Sequence, residues 1–168
     1  WGTPQLARLG IDVPVRPHIA QMAFFHVPTG SGQRLRTTLF DSRAGLYMRP
    51  EGTAQMFVGR KERDFHDPDG PLVDPDDYKQ TAEYGAVERM HAGLSITLPS
   101  MRDGFVHRTY ACTYDVTPDE MPILEQAGGI DGLFFAVGFS GGGFSAAPWV
   151  GRRMAESIPS GAKPREIE

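Results

Sequence analysis

Apolar residues recur along the chain in short runs, bounded by Gly, Pro, Ser and Asp, and the spacing inside each run predicts its element. Residues 5–9 read as the end of a helix that stops at Gly10. Residues 13–27 are rich in β-formers, and the stretch Met22-Ala23-Phe24-Phe25-His26-Val27 predicts a strand covered on both faces. Shorter strands are expected at 37–41, 45–49 and 55–58, and together they suggest an antiparallel sheet. Asp74-Pro75-Asp76-Asp77 resembles a helix start, with an N-cap, a first-turn Pro and first-turn carboxylates, so a helix is expected from there to about His91. Its apolar stripe would be Tyr78, Ala82, Ala86, Val87 and Met90, laid on the sheet. Residues 105–114 alternate as a strand with Tyr110, Cys112 and Tyr114 on one face, followed by a turn at Thr117-Pro118-Asp119-Glu120.

The last unit reads strand 133–137, a glycine loop 138–143, and a helix from about Phe144 to Ile158, with Pro148 expected in its first turn. A glycine turn feeding a helix start lets backbone N–H groups approach a ligand closely, and the partial positive charge of the helix end favours an anion or a polarised carbonyl. The bland alternative is a tight connection whose glycines only relieve sterics. The loop is not read as a dinucleotide fingerprint, which needs Gly-x-Gly-x-x-Gly with an acidic residue about 20 positions on and a parallel strand following, whereas here the chain nearly ends. Gly138-Phe139-Ser140-Gly141-Gly142 does satisfy the nucleophile-elbow form of a serine hydrolase, yet neither His nor Asp comes after Ser140.

Composition narrows the classes further. With 17 basic and 21 acidic residues the net charge is −4, which excludes a basic nucleic-acid footprint. The apolar fraction of 40% is enough to build a core. No run approaches the length of a membrane span. The single Cys112 rules out an internal disulfide framework and points to a reducing compartment such as the cytoplasm. The five histidines lack paired-ligand spacing. Asp64, His66, Asp67 and Asp69 crowd one loop, where a solvated acidic loop is expected rather than a cation site, so no metal is assigned.

The segments 111–119, 122–124 and 132–144, with Ala147-Pro148 and Gly151-Arg152, resemble the C-terminal end of the D-amino-acid-oxidase-like flavoprotein family, and within it the sarcosine oxidase type. Upstream, Trp1, Leu9-Gly10, residues 14–17, Leu46-Tyr47-Met48-Arg49-Pro50-Glu51-Gly52 and Val58-Gly59 agree in order. The resemblance implies an α+β fold: an antiparallel or mixed substrate-binding sheet with a covering helix, plus the last strand and helix of a Rossmann-like FAD domain. It divides the chain into residues 1–14 as a remnant of the FAD domain, 15–110 as the substrate domain, 111–160 as the returning FAD-domain part, and 161–168 as a tail. It further implies that the first half of the enzyme, with the fingerprint that holds the FAD pyrophosphate, lies outside this chain, so that this portion alone is expected to be inactive.

The function implied is oxidation of a C–N bond in a small amine or amino acid, with hydride passing to FAD. Phe139, Ser140, Gly141, Gly142, Gly143 and Phe144 would lie against the flavin. Cys112 matches a cysteine that in some members is covalently joined to it. Tyr47 and Tyr114 match substrate-facing tyrosines, and Arg49 and Ser145 stand as substrate carboxylate contacts. Two departures from the pattern remove lysines, at Phe57 and at Ser145, which leaves a dehydrogenase as open as an oxidase; Arg49, Lys61 or an Arg in the half outside this chain could restore a carboxylate contact. The alternative from another class is a non-catalytic ligand-binding module.

Overall fold

The computed structural model describes residues 2–30, 35–60 and 73–160. Eleven elements follow in order: α1 (Gly2–Arg8), β1 (Arg16–His26), β2 (Leu39–Asp41), β3 (Leu46–Glu51), β4 (Gln55–Arg60), α2 (Tyr84–Thr97), a 3₁₀ turn (Pro99–Met101), β5 (Phe105–Val116), β6 (Ile123–Gln126), β7 (Phe134–Val137) and α3 (Gly143–Ser160). They form two compact units. One draws its described residues from Trp1–His18, Phe65–Pro75 and Tyr114–Glu168, the other from Ile19–Asp64 and Asp76–Thr113.

The second unit is a five-stranded sheet in the order β2-β3-β4-β1-β5, in which β2/β3, β3/β4 and β4/β1 are antiparallel. Because strand side chains alternate, one face carries Ala23, Phe25, Leu46, Met48, Met56 and Val58, which pack against Ala86, Met90 and Leu94 of α2. This is the core, and its central residues Phe25, Met48, Met90 and Leu94 are wholly buried. The expected α+β architecture with a helix covering an open antiparallel sheet is what the chain forms.

Helix α2 departs from the sequence expectation at both ends. Asp74–Asp77 lies in turns, and the helix begins only at Tyr84. The intervening stretch is committed to the sheet: the Ala82 N–H donates to Thr109 Oγ1, the Glu83 N–H to Gln21 Oε1, and the Gln80 carbonyl accepts from the Ala111 N–H. Backbone groups spent on tertiary partners override a local capping signature. Tyr78 and Ala82 are accordingly not helical. At the other end the apolar spacing continues to Leu94, and the helix stops before Leu98-Pro99, as the residue before Pro disfavours helical geometry.

The first unit has a smaller core of Leu6, Val13, Val15, Ala127 and Phe135. Strand β6, which periodicity did not mark, pairs antiparallel with β7 through Leu124↔Ala136 and Glu125↔Phe135. Gly10 ends α1 at φ 76° as expected. Pro148 is not in the first turn of α3: the helix opens at Gly143, so Pro148 falls in its second turn and leaves the Phe144 carbonyl without its helical donor. Among the described residues no helix is long and apolar enough to cross a membrane.

Asp41 ties the sheet edge to the end of α2. Its Oδ1 accepts from the Arg43 and Ala44 N–H groups, at 2.9 and 3.1 Å, and its Oδ2 accepts from the Thr97 hydroxyl. The Thr97 hydrogen bond foremost, then the Ala44 N–H, hold its carboxyl below the ordinary value of 3.8. A depressed carboxylate contributes stability that is fully present above its unfolded value and is lost as pH falls through the folded one. The melting-temperature gap between the protein and Asp41→Asn should therefore be constant from pH 5 to 8 and close below about pH 4; a gap unchanged at low pH would overturn this role.

Candidate functional site

Two surfaces, one in each unit, bring together the residues singled out by sequence. The first is the face of the five-stranded sheet opposite α2. Strand alternation that buries Phe25 and Val58 in the core turns Phe24 and Phe57 the other way, and the two are register partners with ring centroids 5.3 Å apart in an edge-on arrangement. Tyr47 approaches Phe57 at 6.0 Å, and Tyr110 approaches Phe24 and Phe57 at 6.0 and 6.3 Å. Phe24 and Phe57 are buried beneath these neighbours, whereas Tyr110 is partly exposed.

Tyr47 can lie down on the sheet because its partner across the ladder is Gly59. A Cβ built at Gly59 would fall 2.0 Å from the Tyr47 ring and 2.2 Å from its hydroxyl oxygen. A side chain at 59 would have to lift the ring off the sheet, so the glycine fixes where the phenol sits. Here the glycine's use is close approach, not unusual backbone angles.

Two guanidinium groups complete this face. Arg49, on β3 opposite Phe57, places its guanidinium carbon 4.9 Å from the Phe57 ring centre and pairs with the Glu51 carboxylate. Arg108, on β5, lies 4.0 Å over Phe24. The sequence marked Arg49 but not Arg108, whose residue type carries no periodic signal on an exposed strand. Cys112, also on β5, is half-buried, and burial pushes its thiol up, so the neutral form prevails near pH 7.

The second surface is the loop from β7 into α3. Gly138 and Gly141 adopt φ 74° and 83°, and Ser140 adopts φ 49°, a conformation that non-glycine residues rarely accept. The strain is held from outside. Gly138 N–H donates to Asp115 Oδ2 at 2.7 Å, Ser140 N–H donates to the Asp115 carbonyl at 2.8 Å, and Thr117 N–H donates to Ser140 Oγ at 3.2 Å. Buried Thr117 in turn donates from its hydroxyl to the Met121 carbonyl. Asp115 and Thr117 are positioning residues to which sequence reasoning gave no role, since Asp115 stands near the end of a strand and Thr117 was read only as the opening of a turn.

Close packing sets the rest of the loop. A Cβ at Gly138 would come 2.3 Å from Thr117, and one at Gly141 would come 2.7 Å from the Tyr114 ring. Tyr114 therefore lies directly on Gly141. Phe139 folds back on Gly143, 3.2 Å from where a Cβ would stand. Gly142 uses its N–H internally, donating to the Phe139 carbonyl at 2.7 Å, while its carbonyl accepts from Ala146 N–H and from Ser145 Oγ. Of the backbone donors expected to meet a flavin, that of Gly142 is thus spent on the turn. Those of Gly143 and Phe144 belong to the first turn of α3, where no helical acceptor exists, and Phe144 is fully exposed.

The Ser140 hydroxyl has Thr117 N–H, Thr117 Oγ1 and the Gly138 carbonyl as its partners, none of them a base. Such a hydroxyl is a structural clasp, not an activated nucleophile. Lys61 and the acidic loop of Asp64, His66, Asp67 and Asp69 lie outside the described residues. Among the described residues no group of three or more His, Cys, Asp or Glu side chains could hold a metal ion.

Comparison with known proteins places these surfaces in a family. Residues 1–157 match the family described as FAD dependent oxidoreductase. The chain is 30% identical over 156 residues to the bovine protein named FAD-dependent oxidoreductase domain-containing protein 1, covering 90% of this chain and 30% of that one. It is 23% identical to monomeric sarcosine oxidase from Bacillus sp. (strain NS-129), covering 99% of this chain and 43% of that enzyme. Among solved structures, L-proline dehydrogenase from P. horikoshii superposes with a TM-score of 0.76 over 97% of this chain and 41% of that one, at 23% identity. The chain thus spans well under half the length of the relatives it matches.

Replacing Ser140 by Ala should lower stability by about 1 kcal/mol, the worth of an intramolecular hydrogen bond, and an active-site phosphonate should leave Ser140 unlabelled. Stoichiometric labelling at Ser140 would refute the clasp.

Proposed function

This chain belongs to the FAD-dependent oxidoreductase family, and on that premise we propose that it takes part in oxidising a C–N bond of a small amine or amino acid. The observation that carries the proposal is the family match over residues 1–157, joined to a strained glycine loop that delivers the open first turn of α3. The loop fits a flavin. Thr117 and Tyr114 pack against the bare backbone of Gly138 and Gly141 and fix its course, and the first-turn N–H groups of Gly143 and Phe144 offer partial positive charge. Bound FAD would supply the two-electron acceptor that C–N oxidation requires.

The chain's own residues then do the positioning. Asp115 and Thr117 fix Ser140 and Gly138, so the loop presents its donors without reorganising when negative charge develops beside them. Tyr114, held flat by Gly141, takes an orienting role in the first unit. In the second, the Phe24–Phe57 floor excludes water, and the Tyr47 phenol, seated over Gly59, meets the substrate nitrogen. Arg49 contacts a substrate carboxylate. Ser145, whose hydroxyl donates to the Gly142 carbonyl, keeps acceptor capacity only and serves the loop before the substrate.

The reading is tested by the visible spectrum of the full-length protein reconstituted with FAD. A flavin band that titrates to saturation is expected, and failure to bind flavin would overturn it. Tyr114→Phe should slow anaerobic flavin reduction by an amine substrate about ten-fold, and unchanged kinetics would remove Tyr114 from the site. Because the Cys112 thiol is half-buried and neutral, it is a poor nucleophile. We therefore expect acid precipitation to release the flavin into the supernatant. Flavin that stays with the chain, and is freed in Cys112→Ser, would show the covalent link instead.

A further inference from the structure

The aromatic face of the sheet carries one more positive group than a simple amino acid needs. A substrate with one carboxylate is satisfied by one guanidinium, yet two are aligned on the same floor. Arg49 lies 4.9 Å over Phe57, Phe57 lies 5.3 Å from Phe24, and Arg108 lies 4.0 Å over Phe24. Those three legs hold the guanidiniums no farther apart than a small molecule flanked by an ion-pair contact at each end. Each arginine is already oriented by its ring, so less freedom is lost when a carboxylate arrives.

From this geometry we propose that the substrate is an amine bearing two carboxylates, such as an N-carboxyalkyl or acidic amino acid, with Arg108 holding one carboxylate and Arg49 the other. The proposal rests on the C–N oxidation reading and narrows its substrate class. The two arginines differ in readiness. Arg49 is paired with Glu51, whereas Arg108 makes no ion pair among the described residues. The first carboxylate therefore anchors at Arg108. The second displaces Glu51 from Arg49, an exchange of one carboxylate for another that returns the Glu51 carboxylate to solvent at the exposed rim. Between them the Phe24 and Phe57 rings favour the methylene groups and the nitrogen lies near the Tyr47 and Tyr110 phenols.

Calorimetric titration of the full-length protein tests this without needing turnover or flavin colour. Thiodiacetate and (methylthio)acetate, in which sulfur replaces the oxidisable nitrogen, serve as two- and one-carboxylate probes at low salt. Thiodiacetate should bind at least about ten-fold more tightly, a difference of about 1.4 kcal/mol. Arg49→Gln should bring that ratio to about one, Arg108→Gln should weaken both probes, and Glu51→Gln should raise the ratio by freeing Arg49. Equal affinities in the unaltered protein would overturn the proposal. So would sulfate binding as tightly as thiodiacetate, since that would reflect charge alone. Flavin content of the same preparation judges the family-based reading separately, because a flavoprotein that prefers the monocarboxylate loses only this inference.

Discussion

Everything on the sheet follows from one register. Phe24 opposite Phe57, with Phe25 opposite Met56 and Ala23 opposite Val58, assigns one set of side chains to the helix-covered core and its complement to the aromatic face. A slip of a single residue would exchange the two sets, exposing Phe25, Met48 and Val58 and forcing arginine and tyrosine against α2. The buried side defends the register, since Phe25, Met48, Val58, Met90 and Leu94 are wholly enclosed. Core packing is thus what aims Arg49, Tyr47 and Tyr110, although none of the core residues touches a ligand surface.

The loop before α3 is organised on a different principle. It has little apolar burial of its own, and its conformation includes a serine in a region non-glycine residues avoid. Hydrogen bonds from outside the loop supply the missing determination: one aspartate takes Gly138 through its side chain and Ser140 through its main chain. Sheet face and loop illustrate two ways of making a rigid surface, one by packing beneath and one by tethering from the flank.

Much of this was legible in the sequence where periodicity and turn chemistry agreed. The strands around Phe24, Tyr47 and Phe57, the glycine loop and the start of α3 emerged from alternation and from Gly placement. What was not legible depended on partners distant along the chain. Asp74-Pro75 looks like a cap in isolation, but Gln80, Ala82 and Glu83 are claimed by Ala111, Thr109 and Gln21, so the helix waits until Tyr84. Strand β6 is only four residues long, too brief for its alternation to stand out. Arg108 and Asp115 escaped for a related reason. A charged residue on a strand discloses neither the ring beneath it nor the loop it tethers.

That displaced helix start has a further effect on the molecule's behaviour in solution. Strand β5 is the last of the sheet, and a terminal strand ordinarily offers a row of open backbone groups that another chain could adopt as a template. Here the stretch that gives up helical geometry runs alongside it, Gln80 receiving the Ala111 N–H and Ala82 donating to Thr109. Helix propensity forgone after Asp74-Pro75 thus closes one stretch of the sheet margin, at Thr109 and Ala111, where Gln80 and Ala82 take a backbone and a hydroxyl group that another chain would otherwise find open.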